Sequence, residues 1–208
     1  MITRVVFDLG GVVFNWQPRQ VLRQLLPHRI HSEAQAGHWA GEIFQSFHPD
    51  CDWARFDLGL IEPPALADRI ARRTGLTVQE MLTVIEGIVP LLTPMAGTLA
   101  IIEALHARGT PLFYLSNMPA GYAQALVGCH PFFACFADGI FSADVQQMKP
   151  EARIYATADK RFGAAGAGTL FIDDTHLNIA AARVHGWQAL HFEHPQQCQQ
   201  QLQALGLL

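Results

Sequence analysis

The feature that most constrains the fold is the segment 3–13, which reads TRVVFDLGGVV. Its β-branched and aromatic residues, followed by a glycine pair, predict a buried strand over residues 3–9 that carries Asp8 near its end. A buried strand that delivers an acid into a glycine turn places that acid at the carboxyl end of a sheet. Open α/β sheets bind their ligands at that end, so Asp8 is the first candidate for a functional residue.

The region after residue 97 alternates between apolar strand patterns and amphipathic helix patterns. Strands are predicted at 111–115, 139–141, 169–172 and 187–192, and helices at 98–108, 120–127, 150–162, 178–185 and 195–205. Strands that alternate with helices imply a parallel sheet with right-handed crossovers. The sequence therefore predicts an α/β fold, a Rossmann-like parallel sheet that is flanked by helices.

Between the first strand and this α/β region, the sequence has helical periodicity and proline-containing turns. Helices are predicted at 18–28, 31–47, 63–74 and 77–89, with loops at 49–53 and 56–59. Thr77 and Glu80 have the spacing of a capping box at the start of the last of these helices. We interpret residues 15–94 as a helical insert on top of the sheet, which divides the rest of the chain into residues 1–14 and 95–208.

Four more polar residues follow apolar strands or precede a helix: Ser116, Lys149, Asp173 and Asp174. We expect all four to converge on Asp8. An aspartate can attack a phosphoryl group to form an aspartyl-phosphate, but two anions must then be brought together. Mg²⁺ bound by Asp8 with Asp174 or Asp173 would offset the negative charge. Lys149 would hold the nucleophile, and the Ser116 hydroxyl would bind a phosphoryl oxygen.

Composition excludes several other classes of function. The formal net charge of −4 gives no basic surplus for binding nucleic acid or an anionic membrane. No apolar run approaches the roughly 20 residues needed to span a bilayer, and the N-terminus lacks the pattern of a signal peptide. The four cysteines form no CxxC pair. We therefore expect a cytoplasmic monomer or homodimer whose partner is a small phosphorylated molecule.

Four segments resemble, in order, the motifs of the haloacid dehalogenase superfamily. They are FDLGGVV, LFYLSN, MKPEARIY and LFIDDTHLNIAAA, and the resemblance extends from residue 3 to about residue 192. The helical insert lies where that superfamily carries its type-1 cap. The DLG form of the first motif is most similar to phosphatases that act on sugar phosphates such as α-D-glucose 1-phosphate.

The resemblance implies a role for each motif residue. Asp8 would be the nucleophile and a Mg²⁺ ligand, together with the backbone carbonyl of Gly10. Ser116 would bind the phosphoryl group and Lys149 would orient the nucleophile. Asp174 would be the preferred acidic ligand of the fourth motif, with Asp173 beside it, directly or through a water.

Substrate binding is expected from the residues that surround this motif set. Asn117 stands beside Ser116, and the turn residues Gly10 and Gly11 follow the nucleophile. In the cap, Trp53 is expected to line the pocket and to stack on a sugar.

The chain departs from the superfamily pattern at one catalytic position. The first motif usually reads DxD, and its second aspartate protonates the leaving group and then activates water; here that position is Gly10. A general acid is typically worth ~10²–10⁴ in rate. Asn15, where relatives often have a carboxylate, cannot titrate. The candidate replacements are His176, Asp50, Asp52 and Asp57.

The leading hypothesis is a Mg²⁺-dependent phosphatase that favours good leaving groups, such as sugar 1-phosphates or acyl phosphates. One alternative is a metal-independent 2-haloacid dehalogenase, which also lacks the second aspartate but carries Ser-Asn where this chain has Asp173-Asp174. The other alternative is a phospho-ligand-binding pseudoenzyme with little turnover, which Gly10 and Asn15 motivate. The acid pair favours the phosphatase.

Overall fold

The core of the protein is a parallel sheet with helices on both faces. The computed structural model describes residues 1–48, 50–163 and 166–208. Within these ranges five strands pair in the order β3-β2-β1-β4-β5. They are β1 (Arg4–Phe7), β2 (Leu112–Ser116), β3 (Asp138–Phe141), β4 (Thr169–Asp173) and β5 (Gln188–His191). This arrangement confirms the predicted fold class.

The register of the strands brings their carboxyl ends to one edge. In the central strand β1, Phe7 lies opposite Tyr114 of β2 and Ile172 of β4. The residues that follow each strand therefore emerge at the same edge of the sheet. Successive side chains of β1 enter different hydrophobic clusters: Val5 packs in one and Val6 in the other. A strand buried on both faces needs this continuous apolar run.

Helices connect the strands of the core. Those within the described residues are α6 (Ala96–Ala107), α7 (Ala120–Cys129), α8 (Ser142–Val145), α9 (Ala152–Phe162), α10 (His176–His185) and α11 (Pro195–Ala204). Five of these match predicted helices, and the short α8 was not predicted. Helix α9 begins two residues later than predicted, so Pro150 precedes the helix instead of opening it.

The segment between β1 and α6 is helical, as predicted. Its helices are α1 (Pro18–Leu25), α2 (Glu33–Phe44), α3 (Asp52–Asp57), α4 (Pro63–Thr74) and α5 (Val78–Leu91), with a 3₁₀ turn at Gln45–Phe47. The capping box of Thr77 and Glu80 is present at the start of α5, which confirms that prediction.

The prediction of loops at 49–53 and 56–59 is wrong for the residues that form α3; residue 49 lies outside the described residues. The Cys51 sulfur accepts the backbone N–H of Ala54 at 3.2 Å and caps the helix. Trp53 and Phe56 then bury their rings on one side. Tertiary burial of these aromatics, in place of a strong local pattern, stabilises this short helix.

The helical segment leaves and re-enters the core at adjacent positions. The Asn15 amide donates to the Thr93 carbonyl at 2.8 Å, and the Met95 amide donates to the Val13 carbonyl at the same distance. Phe14 also forms an isolated bridge with Pro94. No helix in the described part of the chain is long and apolar enough to cross a membrane.

Candidate active site

Asp8 emerges at the carboxyl end of the central strand and is 7% exposed. Its Oδ1 atom lies 2.9 Å from Lys149 Nζ and accepts the Leu9 amide at 2.7 Å. One carboxylate oxygen is thus fixed by a cation and an amide. The second oxygen has no hydrogen-bond partner within the described residues and can face a ligand.

Lys149 connects the nucleophile candidate to the acid pair. It is 2% exposed, and its Nζ lies 2.7 Å from Asp173 Oδ2 as well as near Asp8. Its backbone is held by Asn117, whose Nδ2 donates to the Lys149 carbonyl and whose Oδ1 accepts the Lys149 amide, both at 2.9 Å. The structure therefore links the second and third motifs through one amide side chain.

Asp173 is fully buried and fully engaged. Besides Lys149, its carboxylate accepts the Thr175 amide at 2.8 Å. Asn178 Nδ2 donates to both of its oxygens, at 3.0 and 3.1 Å. Asn178 was not among the site residues predicted from the sequence, although its position in the first turn of the helix after the acid pair could have indicated contact with Asp173.

Asp174 is exposed and lies against the glycine turn after β1. Gly11 has φ +78°, and a Cβ on it would lie 2.4 Å from Asp174 Oδ2. A glycine at this position therefore lets the turn approach the acid closely. Carboxylate oxygens of Asp8, Asp173 and Asp174 lie within 4.8 Å of one another. Three carboxylates this close together fit the hard-oxygen preference of Mg²⁺.

The electrostatics follow from burial. Burial raises the pKa of Asp8 to about 7, against the attraction of Lys149 and with the help of the charges on Asp173 and Asp174. Burial alone would lower the pKa of Lys149, but the two carboxylates Asp173 and Asp8 outweigh it and raise that pKa. Desolvation and the neighbouring Asp173 also raise the pKa of Asp174. Lys149 thus stays charged, and the site has excess negative charge that a cation would relieve.

Ser116 is the last residue of β2 and is buried at the same edge. Beyond it, the Met118 amide donates to the Ser142 hydroxyl at 2.9 Å. Of the residues proposed from sequence, Asp8, Lys149 and Asp173 are in direct contact, and Asp174 lies beside them. Their catalytic and ligand roles, and that of Ser116, stay predictions.

A cavity of about 80 Å³ separates this edge of the sheet from the helical segment. Its walls are mostly apolar and come from both parts of the chain; they are Gly10, Trp16, Phe47, Trp53, Asp57, Ile88, Leu92, Asn117, Met118, Pro119 and Tyr122. A larger surface groove of about 940 Å³ runs between α1 and α2, but no residue at a strand end lines it. We therefore assign the smaller cavity to the candidate active site.

The aromatic residues of the helical segment fall into two groups. Trp53 lines the cavity, where it was expected, and packs edge-on to Phe44 with ring centroids 4.6 Å apart. Phe56 is instead buried between Trp53 and Tyr122.

The candidate replacements for the missing acid are in different environments. His176 is exposed and stacks on His191, with ring centroids 3.9 Å apart. Asp50 is exposed, and Asp52 pairs with Arg69 at 3.3 Å. Asp57 alone among the four is a wall of the cavity.

Two known enzymes are similar in sequence to this chain. The chain is 28% identical to the sesquiterpene phosphatase astK of Aspergillus oryzae over 190 residues, which cover 89% of this chain and 87% of that protein. It is 32% identical to an (S)-2-haloacid dehalogenase of Pseudomonas putida over 96 residues, 46% of this chain and 42% of the dehalogenase.

A solved structure shares the fold. It is a haloacid dehalogenase family enzyme from Bacteroides thetaiotaomicron in complex with magnesium and inorganic phosphate, with a TM-score of 0.71 and 20% identity. The likeness covers 93% of this chain and 95% of that one. Residues 2–186 match the haloacid dehalogenase-like hydrolases. Because this match covers most of the chain, the protein belongs to the family of haloacid dehalogenase-like hydrolases, as the four sequence motifs predicted.

Proposed function

We propose that the protein is a Mg²⁺-dependent phosphomonoesterase that acts on a small phosphorylated molecule through an aspartyl-phosphate on Asp8. The observation that carries this proposal is the contact of Lys149 Nζ with Asp8 Oδ1 at 2.9 Å and Asp173 Oδ2 at 2.7 Å, with Asp174 beside them. A haloacid dehalogenase that works without a metal has no need for this excess of carboxylates.

Each residue of the site has a separate role in the proposed reaction. The second oxygen of Asp8 attacks phosphorus, while Lys149 holds the first oxygen and fixes the direction of attack. The Ser116 hydroxyl donates to a phosphoryl oxygen. The carboxylates of Asp8 and Asp174 and the Gly10 carbonyl would hold Mg²⁺. When bound, Mg²⁺ offsets the repulsion between the carboxylate and the phosphate.

The cavity supports a substrate whose leaving group is apolar. Most of its walls are aromatic or aliphatic, and a sugar would leave many hydroxyls without partners there. The similarity to a sesquiterpene phosphatase supports the same choice. We therefore place apolar phosphomonoesters ahead of the sugar phosphates that the DLG motif predicted; the sugar-phosphate subtype stays a prediction.

We also propose that residues 15–94 act as a cap on the core formed by 1–14 and 95–208. The paired crossing at Val13–Asn15 and Thr93–Met95 supports a hinge there. Closure of such a cap over the strand ends would exclude water from the reaction. A cytoplasmic location and a monomeric or homodimeric state stay predictions from the sequence.

A metal-independent 2-haloacid dehalogenase is the second candidate. The similarity to (S)-2-haloacid dehalogenases over 96 residues favours it, as does Gly10 in place of the second aspartate. In that reaction Asp8 would displace a halide from carbon, and the acid pair at Asp173 and Asp174 would have no metal to bind.

The test is a release assay with two products. Wild-type protein is incubated with Mg²⁺ and a panel of alkyl, isoprenoid, sugar and acyl phosphates, and separately with 2-chloropropionate in EDTA. We expect phosphate release that EDTA abolishes and Mg²⁺ restores, and a loss of at least ~10³-fold in Asp8→Asn.

The matched control is Asp52→Asn, since Asp52 pairs with Arg69 outside the cavity. Chloride release in EDTA without phosphatase activity would establish the dehalogenase instead. Binding of inorganic phosphate without turnover of any substrate would establish the pseudoenzyme.

A further inference from the structure

Asp57 is a buried acid in the cavity wall contributed by the helical segment. It is the last residue of α3 and is 6% exposed. It shares the cavity with Gly10 from the first motif and Asn117 from the second. An acid from the helical segment therefore faces the same space as two segments at the strand ends.

The backbone of Asp57 is attached to the catalytic edge of the sheet. The Ser142 hydroxyl donates to the Asp57 carbonyl, and the Met118 amide donates to the Ser142 hydroxyl at 2.9 Å. Ser142 directly follows β3, and Met118 lies two residues after the end of β2. Two hydrogen bonds thus hold α3 against the loops that surround the phosphoryl site.

Among the side chains that the structure describes, the Asp57 carboxyl group has neither a hydrogen-bond donor nor a cation beside it. Burial raises its pKa to about 8. Near neutral pH the group therefore carries a proton that it can donate.

The titratable groups around Asp57 do not supply a charge to it. Cys51, at the start of the same helix, and Tyr122, from α7, both have pKa values raised by burial, so both are neutral near pH 7. The charged groups of the neighbouring helices are engaged elsewhere or exposed: Arg69 pairs with Asp52, Arg73 pairs with Glu42, and Asp144 is exposed.

The space above Gly10 is open. No heavy atom lies within 4 Å of the position that a Cβ on Gly10 would occupy. The Asp57 side chain therefore does not occupy the position of a side chain on Gly10, and the cavity is open beside that turn. The cavity therefore has an acidic residue in its wall together with Gly10, the position where the DxD motif would carry its second acid.

We propose that Asp57 is the proton donor, and then the proton acceptor, that replaces the missing second aspartate of the first motif. In the first step Asp8 Oδ forms a bond to phosphorus, the bond between phosphorus and the leaving oxygen breaks, and the Asp57 proton moves to that oxygen to give an alcohol. In the second step the Asp57 carboxylate takes a proton from a water molecule as the water oxygen bonds to phosphorus. The bond from phosphorus to Asp8 breaks, which releases phosphate and regenerates Asp8.

This proposal rests on the proposed phosphatase function, and leaving-group dependence tests it. An alkoxide needs a proton to leave, whereas 4-nitrophenolate is stable without one. Asp57→Asn keeps the shape of the side chain, and Asp52→Asn on the same helix is the matched control. We measure kcat and kcat/KM in Mg²⁺ for butyl phosphate and for 4-nitrophenyl phosphate, and thermal unfolding for each variant.

We expect Asp57→Asn to lose on the order of 10²–10⁴ in kcat for butyl phosphate. The loss for formation of the aspartyl-phosphate from 4-nitrophenyl phosphate, measured as the nitrophenolate burst, is expected to be less than about tenfold. The alkaline limb of the butyl phosphate profile, which reports a required acid, should disappear in Asp57→Asn. Asp52→Asn should match the wild type on both substrates.

A second variant separates chemistry from damage to the pocket. Gly10→Asp adds an acid in open space, and in the Asp57→Asn background it should restore at least about tenfold of the lost activity on butyl phosphate. Equal losses in butyl phosphate turnover and in the nitrophenolate burst, together with no rescue, would overturn the proposal, as would full activity of Asp57→Asn on butyl phosphate. Wild-type protein that releases no phosphate from any ester would overturn both this proposal and the proposed function, whereas an active wild type with an unaffected Asp57→Asn overturns only this proposal.

Discussion

Two buried carboxylates of this enzyme, Asp173 in the core and Asp57 in the helical segment, differ in what surrounds them. Asp173 contacts the Lys149 ammonium, the Asn178 amide and the Thr175 backbone amide. Asp57 has no partner for its carboxyl group in the described part of the chain, and burial alone raises its pKa to about 8.

The difference indicates two uses for a buried acid. A carboxylate whose oxygens are all occupied is fixed in place and can hold another group in position, as Asp173 holds Lys149. A carboxyl group without a partner makes no such contribution and retains its proton near neutral pH. Perturbed acids of the second kind, in a cavity, are candidates for proton transfer.

The most severe way to break this contrast is to remove the cation of the core. Lys149→Met would leave Asp8 and Asp173 buried together without their shared partner. Removing one side of a buried ion pair costs about 3–5 kcal/mol. We expect the free energy of unfolding, measured by urea titration, to fall by about that amount, and phosphatase activity to fall at least ~10²-fold.

The control for Lys149→Met is Lys160→Met, because Lys160 is exposed on α9. A loss of less than about 1 kcal/mol in Lys149→Met would mean that Asp8 and Asp173 do not depend on the ammonium group. The distinction between the partnered core acids and Asp57 would then fail.

The glycine pair after β1 offers a test with a smaller expected effect. It concerns the position of Asp174 and leaves Lys149 unchanged. A Cβ on Gly11 would approach Asp174 Oδ2 to 2.4 Å, and φ there is +78°, whereas a Cβ on Gly10 meets nothing within 4 Å. We expect Gly11→Ala to displace the Asp174 carboxylate and to weaken Mg²⁺ binding by about 10–100-fold, as changes beside metal ligands do. The measurement is the Mg²⁺ concentration required for half-maximal activity, supported by calorimetric titration of the metal.

Gly10→Ala is the matched control, since it adds the same methyl group one residue away. It should bind Mg²⁺ within about threefold of the wild type, because its side chain enters open space and the backbone carbonyl is retained. If both variants bound Mg²⁺ equally well, the Gly11 turn would not position Asp174, and the assignment of that acid as a ligand would be wrong.

Much of the candidate site could be predicted because the end of a strand is a local sequence feature and parallel strands end at the same edge of the sheet. An apolar run followed by an acid is visible at Asp8 and again at Asp173, and parallel strands bring their carboxyl ends to one edge. The helical periodicity after the first strand and the Thr77–Glu80 capping box are equally local, and both appear in the structure.

Other parts of the site depend on contacts between residues far apart in the chain. Helix α3 was predicted as loop because its six residues carry little periodic signal, and its aromatic packing is tertiary. Asp57 was one of four candidate replacements in the sequence, and its burial and its place in the cavity wall distinguish it from the other three. The bidentate contact of Asn117 with the Lys149 backbone spans 32 residues, and no local pattern predicts such a pairing.

The smallest predicted effect concerns Glu80, a partnered acid in the helical segment itself. Its carboxylate lies 2.7 Å from Arg29 Nε and 2.6 Å from His28 Nε2, and it accepts the Thr77 amide at 2.8 Å. Hydrogen bonds from Arg29 hold the pKa of Glu80 well below its usual range. The partners of an acid, and not its place in the core or the helical segment, would then explain the difference between Asp173 and Asp57. In that case the Glu80 carboxylate should stabilise the fold through its partners, as we expect for Asp173.

We expect Glu80→Gln to lower the free energy of unfolding by about 1 kcal/mol at pH 7, the usual value of a helix cap. Because the folded-state pKa is depressed, this contribution is present above the ordinary glutamate pKa of about 4.3 and is lost as pH falls below it. In urea titrations from pH 7 to pH 3, the difference between the two proteins should therefore shrink toward the acid end. Glu86→Gln, an exposed position on the same helix, should show no such pH-dependent difference. A difference between Glu80→Gln and wild type that grew as pH fell would mean that the ionised carboxylate destabilises the fold, and that partners alone do not decide how an acid in this protein behaves.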